Sequence, residues 1–309
     1  MHVCVIGGSR YFGRLLISHL LDAGATVTVL NRGSVPPPPG VTHLLADRDD
    51  ETALRAALAG RHFDVVIDQV CYTPRQAALA TRVFADHTDR YVMTSTVEVY
   101  ADLGRPGGPL LPESALDLTS HPIDLELPWH EPQFLESHYG EGKRQAEAVL
   151  LRDAAFPVAT VRTAHVLGGT DFTGRLAHYL DRITAGRPVT VHPDPQAASF
   201  VHAPDIARFL AWTSTATFTG PINASSQGTL TAAELSTLIA DITGSPTPTL
   251  HPTSTSTATA TATATTEPPS PFSFDRAYPM DTRRARDLGF TFAPLTTWLP
   301  QTIRESTQR

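Results

Sequence analysis

A tyrosine and a lysine four residues apart are the residues best suited to chemistry. Tyr139 and Lys143 fall in the segment YGEGK, and Lys143 is the only lysine among the 24 lysines and arginines of the chain. Residues four apart share one face of a helix. A phenol has a pKa of about 10, which a nearby ammonium lowers, so the pair can act as acid or base toward a carbonyl or an alcohol. We therefore expect both residues to be catalytic.

A glycine-rich segment near the start of the chain is suited to holding a pyrophosphate. It connects the apolar run at 3–6 to a pattern with helical spacing. Glycines permit a tight turn there, and the N-terminus of a helix offers N–H groups and a positive dipole to an anion. The segment predicts a dinucleotide site formed by Gly7, Gly8, Ser9, Arg10, Tyr11, Phe12 and Gly13.

The end of the second predicted strand indicates which dinucleotide binds. An acidic residue there would bind the adenosine ribose hydroxyls of NAD, but this chain has Asn31 followed by Arg32. Together with Arg10 in the glycine turn, Arg32 suits a 2′-phosphate through charge-assisted hydrogen bonds. These residues predict NADP(H) in preference to NAD(H). Asp47, after the third predicted strand, is placed to contact the edge of the adenine.

The elements that must position these residues alternate between strands and helices. Patterns with helical spacing separate apolar runs of strand length at 3–6, 26–30, 42–46, 64–68 and 90–94. Strands separated by helices of this length imply right-handed crossovers and a parallel sheet. The sequence therefore predicts an α/β fold, a Rossmann-type doubly wound parallel sheet with a smaller, mixed C-terminal substrate lobe.

The later part of the chain indicates that second unit. We expect the dinucleotide-binding domain at 1–162, with 200–224 returning to it, and the substrate lobe mainly at 163–309. The low-complexity segment 251–271, rich in Thr, Ala, Ser and Pro, predicts a solvated loop because nothing in it can bury a large side chain.

Polar side chains at the end of the fifth predicted strand are candidates for contact with the substrate. A hydroxyl there can bond the substrate oxygen, and we expect Thr96 to do so, with Ser95 as the alternative. Glu98 is either an exposed strand charge or a base near the substrate. The Pro- and Gly-rich stretch 101–135 predicts a long functional loop, whose leucines and Trp129 would form an apolar wall of the substrate site.

Composition argues against several classes of function. The net charge of −7 argues against nucleic acid or anionic lipid as the main partner. Two cysteines, Cys4 and Cys71, cannot form a disulfide framework and indicate a reducing, cytoplasmic setting. No run reaches the roughly 18 apolar residues of a membrane span, and no signal peptide is evident. His121, His130 and His138 lack short metal-ligand spacing, so we expect no metal site.

These features together resemble the short-chain dehydrogenase/reductase superfamily, in its extended, epimerase/dehydratase-like branch. The resemblance covers most of the chain and includes the glycine turn, the FVHAPDIA segment at 200–207 and the tail at 281–290. It implies an NAD(P)-dependent oxidoreductase. In that family Tyr139 would be the acid/base, Lys143 would bind the nicotinamide ribose, and Thr96 would polarise the substrate oxygen.

Departures from the family pattern bear on the reaction. Sugar-nucleotide 4,6-dehydratases carry Thr-Asp-Glu where this chain has 96–98 as Thr-Val-Glu, which disfavours dehydration. Sugar-nucleotide epimerases read Arg-Tyr-Phe-Asn where 162–165 reads Arg-Thr-Ala-His, and they carry a phosphate-binding Arg where this chain has Ala198. The two missing phosphate contacts predict a substrate that is not a nucleotide sugar. His165 and Arg175 remain candidate substrate contacts.

Three functions stay open at this stage. The first is an NADPH-dependent ketoreductase of a small-molecule ketone or alcohol, for example a polyketide in antibiotic biosynthesis, with a homodimer as one option for its assembly. The second is an NAD(P)-dependent sugar epimerase, in which hydride leaves and returns to one carbon. The third is a non-catalytic dinucleotide- or RNA-binding relative, because the Arg10 turn also resembles plant plastid RNA-binding members. The net charge and the intact Tyr139–Lys143 pair count against the third.

Overall fold

The first third of the chain alternates strands with helices, as the sequence predicts. The computed structural model describes residues 1–253 and 269–308. In chain order the elements of this first part are β1 (His2–Ile6), α1 (Tyr11–Asp22), β2 (Thr26–Asn31), β3 (Thr42–Leu45), α2 (Glu51–Leu58), β4 (Val65–Asp68), α3 (Pro74–Val83) and β5 (Tyr91–Thr96). A short 3₁₀ helix, Val97–Tyr100, follows β5 directly.

The rest of the described chain adds further strands and helices of both units. A second 3₁₀ helix, Glu113–Ala115, lies in the long stretch after β5. The later elements are α4 (Pro132–Ser137), α5 (Tyr139–Asp153), β6 (Val158–Thr163), β7 (His165–Leu167), α6 (Arg175–Thr184), β8 (Val189–Val191), β9 (Ala198–His202), α7 (Ala203–Thr213), β10 (Gly220–Ala224), β11 (Thr229–Leu230), α8 (Ala232–Thr243), β12 (Leu250–Pro252), α9 (Arg283–Asp287) and α10 (Leu295–Ser306). None of the described helices is long and apolar enough to cross a bilayer.

Seven parallel strands form the large sheet, in the order β10-β6-β5-β4-β1-β2-β3. Helices cover both faces of such a sheet, which is why its strands are nearly continuous apolar runs. The chain builds outward from β1 to β3 on one side and from β4 to β10 on the other. Ligands of open parallel sheets bind at this switch point, beyond the carboxyl ends of the strands. The predicted α/β, Rossmann-type doubly wound sheet is confirmed.

Two small sheets, β11-β9-β7 and β12-β8, contain parallel and antiparallel pairs and form the smaller mixed part. Within the segment 200–224, β10 pairs with β6 in the large sheet, whereas β9 lies in a small sheet. Residues 251–252, at the start of the predicted loop 251–271, belong instead to β12. Residues 254–268 lie outside the described residues. The boundary between the two predicted domains stays a prediction.

Local sequence signals mark the helix starts. The Thr73 side chain caps α3 by accepting from the backbone N–H of Gln76, and Pro74 occupies the first turn, where its missing N–H costs nothing. Thr231 and Glu234 form a capping box at α8, in which each side chain accepts from the backbone N–H of the other residue.

Helix α5 is held against the large sheet by a fully buried ion pair. Arg162 on β6 donates to Glu147 on α5 with 2.9 Å between Nη2 and Oε2, and both side chains are 0% exposed. The hydroxyls of Ser95 and Thr160 donate to the same carboxylate. Because Glu147 lies one turn beyond Lys143, this network fixes the helix that carries Lys143 relative to β5 and β6.

Candidate active site

Two adjoining clefts open at the carboxyl edge of the large sheet. The first has a volume of about 590 Å³ and is lined by the turn from 7 to 12 and by residues that follow β2, β3 and β4. We call it the glycine-turn cleft. The second, of about 950 Å³, lies between the start of α5, the end of β5 and the small sheets, and we call it the Tyr139 cleft. The two share Tyr11, Phe12, Gln69 and Tyr72, so they form one continuous groove.

The glycine turn has the geometry that a pyrophosphate requires. Gly7 and Gly8 have φ angles of +85° and +77°, a region that side chains disfavour. A Cβ on Gly13 would lie 2.6 Å from the Gly8 Cα, so only glycine lets the turn pack against the start of α1. These features fit a dinucleotide at this cleft. The predicted cofactor residues that line it are Gly7, Gly8, Ser9, Arg10, Tyr11, Phe12, Asn31, Arg32 and Asp47.

Asn31 serves the turn itself. Its Nδ2 donates to Ser9 Oγ over 2.8 Å, and its Oδ1 accepts from the backbone N–H of Gly33 over 2.7 Å. Arg32 is exposed at the rim of the glycine-turn cleft, and the Arg10 guanidinium lies 5.7 Å from the centroid of the Phe172 ring. Both guanidinium groups therefore stand beside the cleft, free of a buried ion pair, as a 2′-phosphate contact requires.

Replacing Arg32 with Ala tests the predicted cofactor. We expect the Kd for NADPH to rise about tenfold, because a charge-assisted hydrogen bond is lost, with little change for NADH. Calorimetric titration of both cofactors measures this, and Arg14→Ala, an exposed position on α1 outside both clefts, is the matched control for lost charge. Equal losses for the two cofactors would exclude a role of Arg32 in selecting NADP(H).

The three predicted catalytic residues come together in the Tyr139 cleft. Tyr139 is the first residue of α5, and its side chain lines the same cleft as that of Thr96. Burial raises the pKa of the Tyr139 phenol, against a smaller lowering by the Thr96 hydroxyl. Lys143 is 1% exposed, and its Nζ donates to the backbone carbonyl of Thr94 over 2.8 Å. The same Nζ lies 5.9 Å from the centroid of the Tyr139 ring and 4.6 Å from that of the Tyr72 ring.

The pKa of Tyr139 differs from the value that the sequence predicts. Burial raises the pKa of Tyr139 above the ordinary value, and the Tyr72 hydroxyl adds to this effect, so the expected lowering by Lys143 is wrong. The reason is that the Lys143 ammonium is directed at the Thr94 carbonyl and the Tyr72 ring. Burial also lowers the pKa of Lys143 to about 8, against the opposing effects of Cys71 and Asp68. At neutral pH Tyr139 therefore carries its proton.

Gly140 and Gly142 have a packing role that their helix propensity does not reveal. The sequence suggests that they loosen the start of the helix, yet α5 begins at Tyr139. A Cβ on Gly140 would lie 2.6 Å from the Glu98 carbonyl oxygen, and one on Gly142 would lie 2.6 Å from that of Tyr72. Because these two positions are glycine, the backbone segments at Glu98 and Tyr72 can pack closely against α5. Both segments therefore lie beside Tyr139 and Lys143.

Glu98 faces the Tyr139 cleft. Its carboxylate accepts a hydrogen bond from the Tyr278 hydroxyl over 2.6 Å. Burial raises the pKa of Glu98, against the opposing effects of Tyr278 and of the arginines at 276, 144 and 175. All three arginines line the cleft, together with the carboxyl groups of Glu98, Asp102, Glu136, Glu141 and Asp275.

Ser95 and His165 are placed differently from each other. The Ser95 hydroxyl donates to the buried Glu147 carboxylate, so it supports α5. His165 lines the Tyr139 cleft, and its ring stacks on Phe274 at a centroid distance of 4.6 Å. Burial lowers the pKa of His165 to about 3, with Arg175 adding to the effect. The imidazole is therefore neutral at pH 7.

The expected apolar wall is wrong. Of the stretch 101–135, only Ala101 and Asp102 line the Tyr139 cleft. In the remainder, Leu111 pairs with Met280, and Arg152 on α5 donates to the carbonyls of Thr119 and His121. The predicted wall residues that do not line the cleft are Leu110, Leu111, Leu116, Leu125, Leu127 and Trp129. Trp129 is buried beside Gly142 of α5, whereas Leu110 and Leu125 are exposed.

Buried polar atoms without partners gather at the Tyr139 cleft. Among the described residues, Tyr11 Oη, Gln69 Nε2, Thr94 Oγ1 and His165 Nε2 have no hydrogen-bond partner, and all four residues line this cleft. An unpaired buried polar group costs about 1–3 kcal/mol. A ligand rich in hydroxyl groups can satisfy such atoms, so the cleft suits a polar substrate.

Three residues of the groove carry no clear signal in the sequence. Gln69 and Tyr72 line both clefts, and Tyr278 bonds Glu98. The first two follow β4, so their position at the carboxyl end of a central strand could have suggested them. Tyr278 reaches the site from the last third of the chain, and only the tertiary structure brings it there.

The family is decided by a match that spans most of the chain. Residues 3–224 match the NAD dependent epimerase/dehydratase family. The chain belongs to this family. The matched segment contains the glycine turn, Thr96, Tyr139 and Lys143, so the resemblance to the extended branch is confirmed.

Solved sugar-nucleotide epimerases have the same fold as this family member. The UDP-glucose 4-epimerase of Thermotoga maritima, solved with UDP-glucose, aligns over 100% of both chains with a TM-score of 0.73 and 18% identity. The UDP-glucose 4-epimerase of Thermus thermophilus, solved with NAD, covers 98% of this chain and 97% of that chain, with a TM-score of 0.71 and 19% identity.

A curated relative comes from a plant. It is the chloroplast stem-loop binding protein of 41 kDa b of Arabidopsis thaliana, 24% identical over 223 residues, which are 66% of this chain and 53% of the relative. The chain therefore spans about half the length of this curated relative. The similarity agrees with the resemblance of the Arg10 turn to plant plastid members.

Proposed function

We propose that this protein is an NAD(P)-dependent epimerase that inverts a secondary alcohol of a polyhydroxylated, sugar-like substrate. The observation that carries the proposal is the set of unpartnered polar atoms that surrounds the catalytic residues in the Tyr139 cleft. Sugar hydroxyls can pair with the polar side chains of this lining, whereas an apolar polyketide would leave them unpaired at about 1–3 kcal/mol each. The folds of the UDP-sugar epimerases support the same class.

The residues of the Tyr139 cleft supply the proton chemistry. A nicotinamide dinucleotide in the glycine-turn cleft would supply the acceptance and return of hydride. Thr96 and Tyr139, which line the same cleft, would hold the reacting oxygen. In the reductive half Tyr139 donates its proton to the carbonyl oxygen, and in the oxidative half the phenolate takes the proton from the alcohol. The Lys143 ammonium would bind the nicotinamide ribose, as the family resemblance implies.

The charges of the cleft support a substrate that also carries an anionic group. Arg175 and Arg276 line the Tyr139 cleft at positions other than those where the two phosphate contacts of sugar-nucleotide epimerases are missing. The Arg175 guanidinium lies 5.0 Å from the centroid of the Phe272 ring, which holds it without neutralising it. Arg276 is already paired with Asp102 and Asp275, so Arg175 is the side chain that would bind a phosphate or carboxylate of the substrate.

Cofactor consumption separates the epimerase from a ketoreductase. The protein is incubated with NAD⁺ or NADP⁺ and, in turn, UDP-glucose, glucose 1-phosphate and glucuronic acid, and the products are followed by NMR. We expect an inverted sugar and no net change in nicotinamide absorbance. Stoichiometric oxidation of added NADPH with a ketone substrate, and no epimer from any sugar, would favour the ketoreductase.

RNA binding without catalysis is the second candidate. The observation that favours it is the similarity to the chloroplast stem-loop binding protein. The net charge of −7 counts against it, because RNA binding needs a positive surface. Filter binding of a labelled RNA stem-loop at low salt tests this candidate. Salt-sensitive retention of the RNA at micromolar protein would favour RNA binding over the epimerase.

Lys143→Arg tests whether the ammonium is required. An Arg at this buried position cannot place its larger planar fork where the ammonium lies. We expect hydride transfer to slow at least about tenfold, or about 1.4 kcal/mol, measured in single turnovers with saturating cofactor. The matched control is Arg55→Lys, an exposed position on α2 far from both clefts. A parent-like rate for Lys143→Arg would remove Lys143 from the mechanism.

A further inference from the structure

The ammonium of Lys143 lies between two aromatic rings. Its Nζ is 4.6 Å from the centroid of Tyr72 and 5.9 Å from that of Tyr139, both within the distance at which a cation is attracted to a ring face. Its hydrogen bond goes to the neutral carbonyl of Thr94. A buried cation with so few polar contacts needs another source of stabilisation, and the nearer ring is that of Tyr72.

The charged and titratable groups around Lys143 do not supply the stabilisation that its buried ammonium needs. Asp68 at the end of β4 is paired with Arg48, so its charge is largely compensated at Lys143. Cys71 is buried and its pKa is raised to about 11, so it stays a neutral thiol. Glu147, one turn along α5, is paired with Arg162. Tyr139 and Tyr72 are themselves neutral phenols near pH 7, because burial raises the pKa of each.

Backbone contacts hold the Tyr72 ring close to the Lys143 ammonium. Gly142 lies beneath the Tyr72 carbonyl, where a Cβ would approach its oxygen to 2.6 Å. The Tyr72 N–H donates to Gln76 Oε1 over 2.7 Å, which fixes the loop between β4 and α3. Glycine at 142 therefore allows this loop to lie on α5, directly over the Lys143 side chain.

We propose that Tyr72 is a positioning residue whose ring forms a cation–π clamp that keeps Lys143 charged and directed into the site. Because Tyr72 lines both clefts, the clamp stands where the two parts of the groove meet. The inference rests on the role proposed for Lys143. The ring of Tyr72, and not its hydroxyl group, is the part that stabilises the Lys143 ammonium.

The sole lysine allows a test that needs neither substrate nor cofactor. In protein labelled with ¹³Cε-lysine, one side-chain resonance reports Lys143, and its pH titration gives the pKa of that residue. In the parent protein we expect a midpoint at a pKa of about 8, ε-proton shifts moved upfield by the Tyr72 ring, and nuclear Overhauser contacts between those protons and the ring.

Substitutions at 72 separate the ring from the hydroxyl. Tyr72→Phe keeps the ring and is expected to titrate within about 0.3 pH unit of the parent, whereas Tyr72→Leu should lower the midpoint by about one unit or more and abolish the upfield shift. Gly142→Ala, which pushes the loop away, should act in the same direction as Tyr72→Leu. Thermal unfolding of each variant checks that the fold is intact.

An unchanged midpoint in Tyr72→Leu overturns the clamp. So does a Tyr72→Phe protein that titrates like Tyr72→Leu, since the hydroxyl would then be the active part. If Tyr72→Leu does not fold, the absence of Overhauser contacts between Lys143 and Tyr72 in the parent protein contradicts the proposal by itself. None of these outcomes bears on whether hydride is transferred, so the clamp can fail while the proposed epimerase stands.

Discussion

Tyr139→Phe is expected to slow hydride transfer about 100- to 10,000-fold, the usual contribution of general acid–base catalysis. The substitution removes one oxygen and leaves the ring that packs against Tyr72 and lies near Lys143. Because Tyr139 carries its proton at neutral pH, the substitution removes the proton donor itself. Single-turnover kinetics with saturating cofactor measure the chemical step itself.

Cofactor affinity is the internal control for that variant. Tyr139 lines the Tyr139 cleft and not the glycine-turn cleft, so the Kd of the dinucleotide should change little. Thr96→Val is a useful companion, since it removes the hydroxyl proposed to hold the reacting oxygen beside Tyr139. A Tyr139→Phe protein with a near-parent rate would mean that the proton comes from the substrate or from a water held by Thr96.

Glu147→Gln is expected to lower the free energy of unfolding by about 3–5 kcal/mol, because it leaves the Arg162 guanidinium buried without a counter-charge. Both side chains of this pair are 0% exposed, so water cannot compensate for the loss. The carboxylate also accepts from the hydroxyls of Ser95 and Thr160. Denaturant unfolding with a constant slope measures the change.

Two further variants show whether the unpaired Arg162 charge causes the loss in the free energy of unfolding. In the double variant Glu147→Gln with Arg162→Met the unpaired charge is gone, so a large part of the stability should return. Glu51→Gln breaks exposed ion pairs to Arg55 and Arg82 and should change stability little. If Glu147→Gln were as mild as Glu51→Gln, the pair would not be what fixes α5.

The fold could be predicted because its signals are local. The apolar runs, the glycine turn and the caps such as Thr73 each act over a few residues, and their order specifies a doubly wound sheet. The Tyr139–Lys143 pair was predictable for the same reason, since helical spacing alone puts both on one face. The stretch 101–135 was not, because an amphipathic loop contains no information about which apolar surface it covers.

The site beyond the catalytic pair depends on tertiary contacts. Tyr278 reaches Glu98 across 180 positions of sequence, and no local pattern connects them. The protonation of Tyr139 was predicted in the wrong direction because the spacing to Lys143 was considered without the burial that both residues share. Gly142 shows the same limit, since its helix propensity is local but its reason for being glycine is the Tyr72 carbonyl.

The return of hydride to its own carbon is the central claim, and label retention tests it most directly. A substrate identified in the sugar series is prepared with deuterium on the carbinol carbon, and the protein is given NAD⁺ or NADP⁺ as the oxidant together with an excess of unlabelled reduced dinucleotide. We expect an inverted product that keeps its deuterium at that carbon, with none in the free dinucleotide. Loss of the deuterium to the dinucleotide pool, with a ketone or a reduced alcohol as the product, would contradict it.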